Sequence, residues 1–146
     1  MIKKNIYKTY LSVIKNSTKS KMFRNFWVSD EEKEFDAMRD GDLSCAFYVS
    51  GILTMFHLVE NIHGTVRSTE EDLIKSGWKK ISRPKIGSII IWEKQIFGDE
   101  EHAHIGFYVG DGRAISNSTE EGYPIRHDWQ FKGNRKIENI YWKEIK

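Results

Sequence analysis

Residues 43–62, LSCAFYVSGILTMFHLVENI, are the longest apolar segment of the chain and constrain its fold more than any other stretch. Phe47, Ile52, Phe56, Val59 and Ile62 roughly share one helical face, and the segment is apolar nearly all round. A helix without a polar face has to be enclosed by protein. The pattern predicts a central buried helix, capped by Asp42 or Ser44, with Cys45 in its first turn and His63-Gly64 at its end.

The segments on either side differ in period. Upstream, Ile2, Ile6, Tyr10, Val13 and Ile14 form a helical stripe over residues 2–14. Met22 to Val28 is aromatic-rich and fits a short strand or a packing loop. Ser29-Asp-Glu-Glu has the form of a capping box, which predicts a short helix through about Arg39. Ser68-Thr-Glu-Glu predicts another, stopping at Ser76-Gly77.

From Trp78 onward the pattern is that of strands. They are expected at Gly87 to Trp92, from His104 to Val109, from Arg113 to Ser118, from Pro124 to Phe131 and from Ile137 to Trp142. Glu93 to Ala103 reads as a charged loop, and Gly110-Asp-Gly as a hairpin turn. Helices first and strands after indicate an α+β fold with an antiparallel sheet.

The chain has 146 residues, which fits a single domain: a helical N-terminal extension over 1–40 and a core over 41–146. At 39% hydrophobic and 13% aromatic, it has enough apolar material for a bulky core. The net charge of +2 gives no reason to expect a specific nucleic-acid partner. Residues 1–29 hold seven Lys/Arg and no acid, which reads as the solvated face of the first helix. A single cysteine excludes an internal disulfide. The first residues form no continuous apolar stretch, so neither a secretion signal nor a transmembrane segment is expected, and a cytoplasmic location is.

Cys45 and His104 are the residues best suited to chemistry. A helix N-terminus and a nearby imidazolium both favour a thiolate. His104 opens a strand that continues through Gly106 and Tyr108 into a Gly-x-Gly turn. Behind His104, a polar residue should orient the ring. A three-residue hairpin loop puts Ser116 on its face, a two-residue loop puts Asn117 there, and His127 on the following strand is a third candidate. His102 shares the His104 face and lies near Asp99, Glu100 and Glu101, but no second cluster completes a metal site, and no cofactor is expected. Trp92, Trp129 and Trp142 are candidate groove residues, with a place in the core of a small aromatic-rich domain as the alternative.

Three segments together resemble the NlpC-type cell-wall cysteine peptidases. They are Leu43-Ser-Cys-Ala-Phe-Tyr-Val, Pro84-Lys-Ile-Gly-Ser-Ile-Ile-Ile-Trp, and His104-Ile-Gly-Phe-Tyr-Val-Gly-Asp-Gly-Arg-Ala-Ile-Ser-Asn-Ser. The resemblance spans about Asp42 to Ser118. It implies a papain-like fold, with Cys45 as nucleophile, His104 as base and a thioester intermediate formed from a peptide or other amide. Ser116, Asn117 or His127 would complete the catalytic set, and Ser44, Tyr48 and Trp92 are the expected substrate contacts. The family's usual Asp-Cys-Ser-Gly is here Ser44-Cys45-Ala46-Phe47, so the side chains that hold a peptidoglycan stem peptide are not carried over. The alternative is a binding module that keeps the fold with weak or no turnover.

Overall fold

The computed structural model describes every residue except Asp42, and describes Phe97 by its backbone alone. The expected Asp42 cap therefore lies outside the described residues. The first helix, α1 (Ile6–Asn16), starts where the Asn5 side chain accepts a hydrogen bond from the Lys8 N–H at 2.9 Å. It begins four residues later than the stripe implied, and Ile2 lies outside it, fully exposed. Tyr10 and Ile14 are completely buried, and the Tyr10 hydroxyl donates to the Gly87 carbonyl at 2.7 Å. α1 thus packs into the main core instead of extending from it.

The helix expected after Ser29 is a two-stranded hairpin, β1 (Trp27–Ser29) with β2 (Glu34–Asp36), paired antiparallel. The deciding residue is Asp30. Its carboxylate accepts from the Glu32 and Lys33 N–H groups at 3.0 and 3.1 Å, and its own N–H donates to the Lys33 carbonyl. That side chain closes a turn instead of opening a helix, a choice open to Asp wherever it precedes free N–H groups.

The central helix α2 (Cys45–Met55) starts as expected and ends eight residues early. His57 adopts a left-handed conformation with φ of 57°. The Leu58 N–H then donates to the Leu53 carbonyl and the His57 N–H to Thr54, which is a Schellman stop without glycine. α3 (Val66–Lys75) is capped three residues before the expected position, because Thr65 accepts from the Ser68 N–H and serves as N-cap. It ends at Ser76-Gly77 as the sequence indicated.

Six antiparallel strands form the main sheet: β3 (Lys79–Lys80), β4 (Ile89–Phe97), β5 (Glu100–Gly110), β6 (Arg113–Asn117), β7 (Pro124–Asp128) and β8 (Ile137–Trp142). Their spatial order is β3-β8-β4-β5-β6-β7. The fold is therefore α+β. The charged stretch Glu93 to Ala103 is not a loop: β4 and β5 continue through it as a paired hairpin with a bulge between Trp92 and Gln95. On one face of the sheet, Ile89, Ile91, Ile105, Phe107 and Ile115 share a core with α1 and α2. Tyr48 meets Phe107 edge to face at 5.4 Å. A smaller cluster of Ile90, Trp92 and Ala114 occupies the other face. No helix among the described residues is long and apolar enough to cross a membrane.

The connection from α2 to α3 is held by one carboxylate. Asp72 accepts from the N–H groups of Glu60 and Asn61, from the Ser76 hydroxyl and from His63 Nε2 at 2.6 Å. Burial raises its pKa, but the donors led by Glu60 and His63 outweigh that and bring it down to about 2. Its contribution is complete above the unfolded value near ~3.9 and is lost as pH falls through the folded value. Asp72→Asn should lower the unfolding free energy by roughly 2 kcal/mol at neutral pH, and urea titrations should show the difference closing as pH approaches about 2.

Candidate active site

Cys45 is the first residue of α2, and the Tyr48 N–H closes the first helical bond onto the Ser44 carbonyl at 2.8 Å. The turn in front of it is pinned to the sheet. Asn117 Nδ2 donates to the Gly41 carbonyl at 2.7 Å. Gly41 has φ of 101° and lies against Gly122, where a Cβ would come within 2.5 Å of the Gly122 carbonyl. Only glycine fits that contact. The two contacts join the start of α2 to the β6–β7 connection, so Cys45 and the sheet face a common cleft of about 920 Å³. Cys45, His104, Ser116, Asn117, His127 and Arg135 all line it.

The residue behind His104 is Ser116. The hairpin loop has two residues, Asp111 and Gly112, both left-handed as a type I′ turn requires. That loop alone would put Asn117 opposite Gly106. A bulge between Tyr108 and Gly110 shifts the register by one, so Ser116 pairs with Gly106 and shares the His104 face. Gly106 leaves the room: a Cβ there would lie 2.7 Å from the Ser116 Cβ and 2.8 Å from the Ile115 carbonyl. This explains the glycine of the His-x-Gly-x-Tyr pattern.

Ser116 joins the two histidines into one polar chain. His127 Nδ1 contacts the Asp128 carbonyl at 2.7 Å. A carbonyl only accepts, so Nδ1 carries the proton and His127 Nε2 is an acceptor. The Ser116 hydroxyl donates to that Nε2 at 2.6 Å. Its oxygen then accepts from His104 Nε2–H at 2.8 Å. By this chain of roles His104 is left with a bare lone pair on Nδ1. Aromatic rings hold the arrangement: Trp92 lies 5.4 Å from His104, and Phe131 stacks on His127 at 4.3 Å.

Arg135 is a site residue that sequence reasoning missed. It is only 9% exposed, and it donates from Nε to the Glu93 carbonyl at 2.9 Å and from Nη2 to the His102 carbonyl at 2.7 Å. These bonds span the β4–β5 bulge and bring a fixed positive charge beside Cys45 and His104. Arg135 lies between a turn and β8, and no motif marks it.

The electrostatics differ from the sequence expectation of an activated thiolate. Burial pushes the Cys45 thiol up to about 11, and this outweighs the opposing effects of the Ile105 and Ala46 N–H groups and of Arg135. Cys45 packs against the core cluster that includes Ile105, the strand residue that follows His104. Cys45 is partly exposed at the cleft, yet protein packs closely around its sulfur. Burial, Arg135 and His127 together push His104 down to about 3. At neutral pH the resting pair is therefore a thiol and a neutral imidazole. Among the described residues no hydrogen bond joins the two.

The remaining expected site residues divide. Asn117 is 3% exposed and anchors Gly41 instead of orienting His104. Tyr48 is fully buried and bonded to Ser17 at 2.6 Å, so it is a core residue and not a substrate contact. Trp92 is also fully buried, with its indole N–H on the Trp129 carbonyl; it backs the histidines and does not face the cleft. The Ser44 hydroxyl is buried without a hydrogen-bond partner among the described residues, away from the cleft lining. His102 binds Glu100, which also takes a two-pronged ion pair from Arg39. Among the described residues no group of three or more His, Cys, Asp or Glu is placed to hold a metal ion.

In the ligand-free protein, iodoacetamide should label Cys45 more slowly than free cysteine at neutral pH, with a rate that climbs steadily above pH ~9. Arg135→Met should label more slowly still, because the thiolate loses a neighbouring cation, and Arg135→Lys should recover part of the rate. Labelling as fast as an activated thiolate at neutral pH would contradict the resting neutral pair.

No protein-family model and no curated protein matches this chain.

Proposed function

We propose that the protein is a cysteine-dependent amidohydrolase or peptidase of the papain-like NlpC type, with Cys45 as nucleophile and His104 as general base. The observation that carries this reading is the polar chain from the Asp128 carbonyl through His127 and Ser116 to His104. It directs a lone pair out of Nδ1 in the cleft that also holds Cys45.

The chemistry follows from the neutral resting pair. As the Cys45 sulfur attacks the substrate carbonyl, its proton passes to His104 Nδ1 and the carbonyl π electrons move to oxygen. The Cys45 N–H at the start of α2 stabilises that oxyanion. Ser116 accepts from the His104 Nε2–H and keeps the imidazolium oriented. The C–N bond then breaks, the amine takes the proton from His104, and a thioester remains on Cys45. Water, deprotonated by His104, attacks the thioester to release the acid and restore the thiol. Arg135 favours the negative sulfur and limits the lifetime of the imidazolium.

A binding module without turnover is the second reading. The burial that holds Cys45 and His104 in their neutral forms is the observation that favours it.

One experiment separates the two. Protein is mixed with p-nitrophenyl acetate and the Cys45 peptide is followed by mass spectrometry. The enzyme reading expects an acetyl thioester on Cys45 in the native protein and none in Cys45→Ala. It expects acylation roughly 100-fold or more slower in His104→Ala, and slower by up to about 100-fold in Ser116→Ala. Native protein acylated no faster than His104→Ala would leave the binding reading.

A further inference from the structure

We propose that this cleft takes an apolar acyl chain, so that the substrate is a fatty-acyl amide or ester; the inference rests on the enzyme reading above. Beyond Cys45 part of the cleft wall is hydrocarbon, while Arg39, Arg67, Lys94, Glu100, Glu101 and Glu120 line other parts of it. Phe26, Val28, Met38, Leu43, Val66 and Phe131 come from separate segments of the chain and converge on one cleft. Apart from Met38 these six are only partly buried, so apolar surface there stays in water until a ligand covers it. The volume, about 920 Å³, is at the upper end of what small-molecule sites enclose.

The β1–β2 hairpin and the residue before it contribute Val28 and Phe26 to the cleft wall. Phe35, the cross-strand partner of Val28 and so on the same face of the hairpin, stays 44% exposed. Two of the cations along the cleft are already engaged: Arg39 with Glu100, and Arg67 with Glu71.

A peptide in this cleft would bring an N–H and a C=O with every residue, each of which needs a partner once covered. A polymethylene chain brings none and gains from every methylene it removes from water. With its carbonyl at Cys45, the chain would lie along Leu43, Val66 and the hairpin wall. The reaction is the one already described, with an alcohol or phenol in place of the amine as the leaving group that takes the His104 proton.

The test uses p-nitrophenyl acetate, butyrate, octanoate and dodecanoate on the native protein, each below its micelle concentration. The expected result is a kcat/KM that rises by about fourfold for each methylene that becomes buried, until the cleft is full. Val28→Asp should cut the octanoate-to-acetate ratio by roughly tenfold, because its carboxylate would have to be desolvated by the chain. In parallel, a fluorescent dodecanoic acid analogue should bind Cys45→Ala saturably and be displaced by dodecanoate but not by acetate.

Cys45 acylated by acetate with a flat or falling chain-length profile would overturn the inference and leave the enzyme reading intact. No acylation by any ester, with saturable and Val28-sensitive binding of the dodecanoic analogue, would overturn the enzyme reading and keep the cleft's chain specificity. Neither acylation nor binding would overturn both.

Discussion

The helix Cys45–Met55 has no polar face to give to water, and the rest of the molecule is arranged to enclose it. Ile105, Phe107 and Ile115 of the sheet lie in the same core as Val49, Ile52 and Leu53 of the helix. α1 adds Tyr10 and Ile14 to that core. Losing any one large side chain from this contact would leave a cavity costing about 2–5 kcal/mol, a large fraction of the stability of a domain this size. The first turn of the helix cannot move far while its body is locked in this way. That rigidity is what allows a single thiol to be presented at a set position.

At the site, two forces act against each other. The helix N-terminus, the Ile105 N–H and Arg135 all favour a charged sulfur, and burial favours a neutral one. Burial prevails, so the resting sulfur is neutral, and in the proposed reaction charge would develop only as a substrate carbonyl accepts it. Arg135 acts on both partners in the same direction, favouring thiolate on Cys45 and disfavouring imidazolium on His104. Its guanidinium is held by two backbone carbonyls across the bulge between Trp92 and Gln95. The bulge therefore has a chemical consequence, because the carbonyls on either side of it hold the cation that adds to the effect of burial on His104 and opposes it on Cys45.

The histidine chain depends on a second bulge. Without the extra residue between Tyr108 and Gly110, Asn117 would occupy the His104 face, and Ser116 would point into the helix-side core. With it, Ser116 reaches both imidazoles, and Asn117 is released to hold Gly41 and hence the approach to Cys45. One inserted residue thus assigns a positioning role to two neighbouring side chains.

Much of this was legible in the sequence. The nearly all-round apolarity of residues 43–62 pointed to a buried helix, which forms over Cys45–Met55, and Ser44-Cys45 at its start determined that the thiol would lie in the first turn. The alternation after Gly87 and the Asp111-Gly112 pair determined the strands and the hairpin. These signals are local: each is a period or a turn propensity carried by adjacent residues. Local rules also misled. Ser29-Asp30 satisfies a helix cap and a tight turn equally well, and only the pairing of Trp27 to Ser29 with Glu34 to Asp36 selected the turn. Likewise, His57 stops α2 where glycine was the expected signal. The tertiary structure alone decided that Ser116 and not Asn117 faces His104, that Arg135 lies beside the thiol, and that Tyr48 and Trp92 are core. The reason is physical: strand register, desolvation and the approach of a distant cation are set by contacts between residues far apart in the chain, and no stretch of sequence contains them.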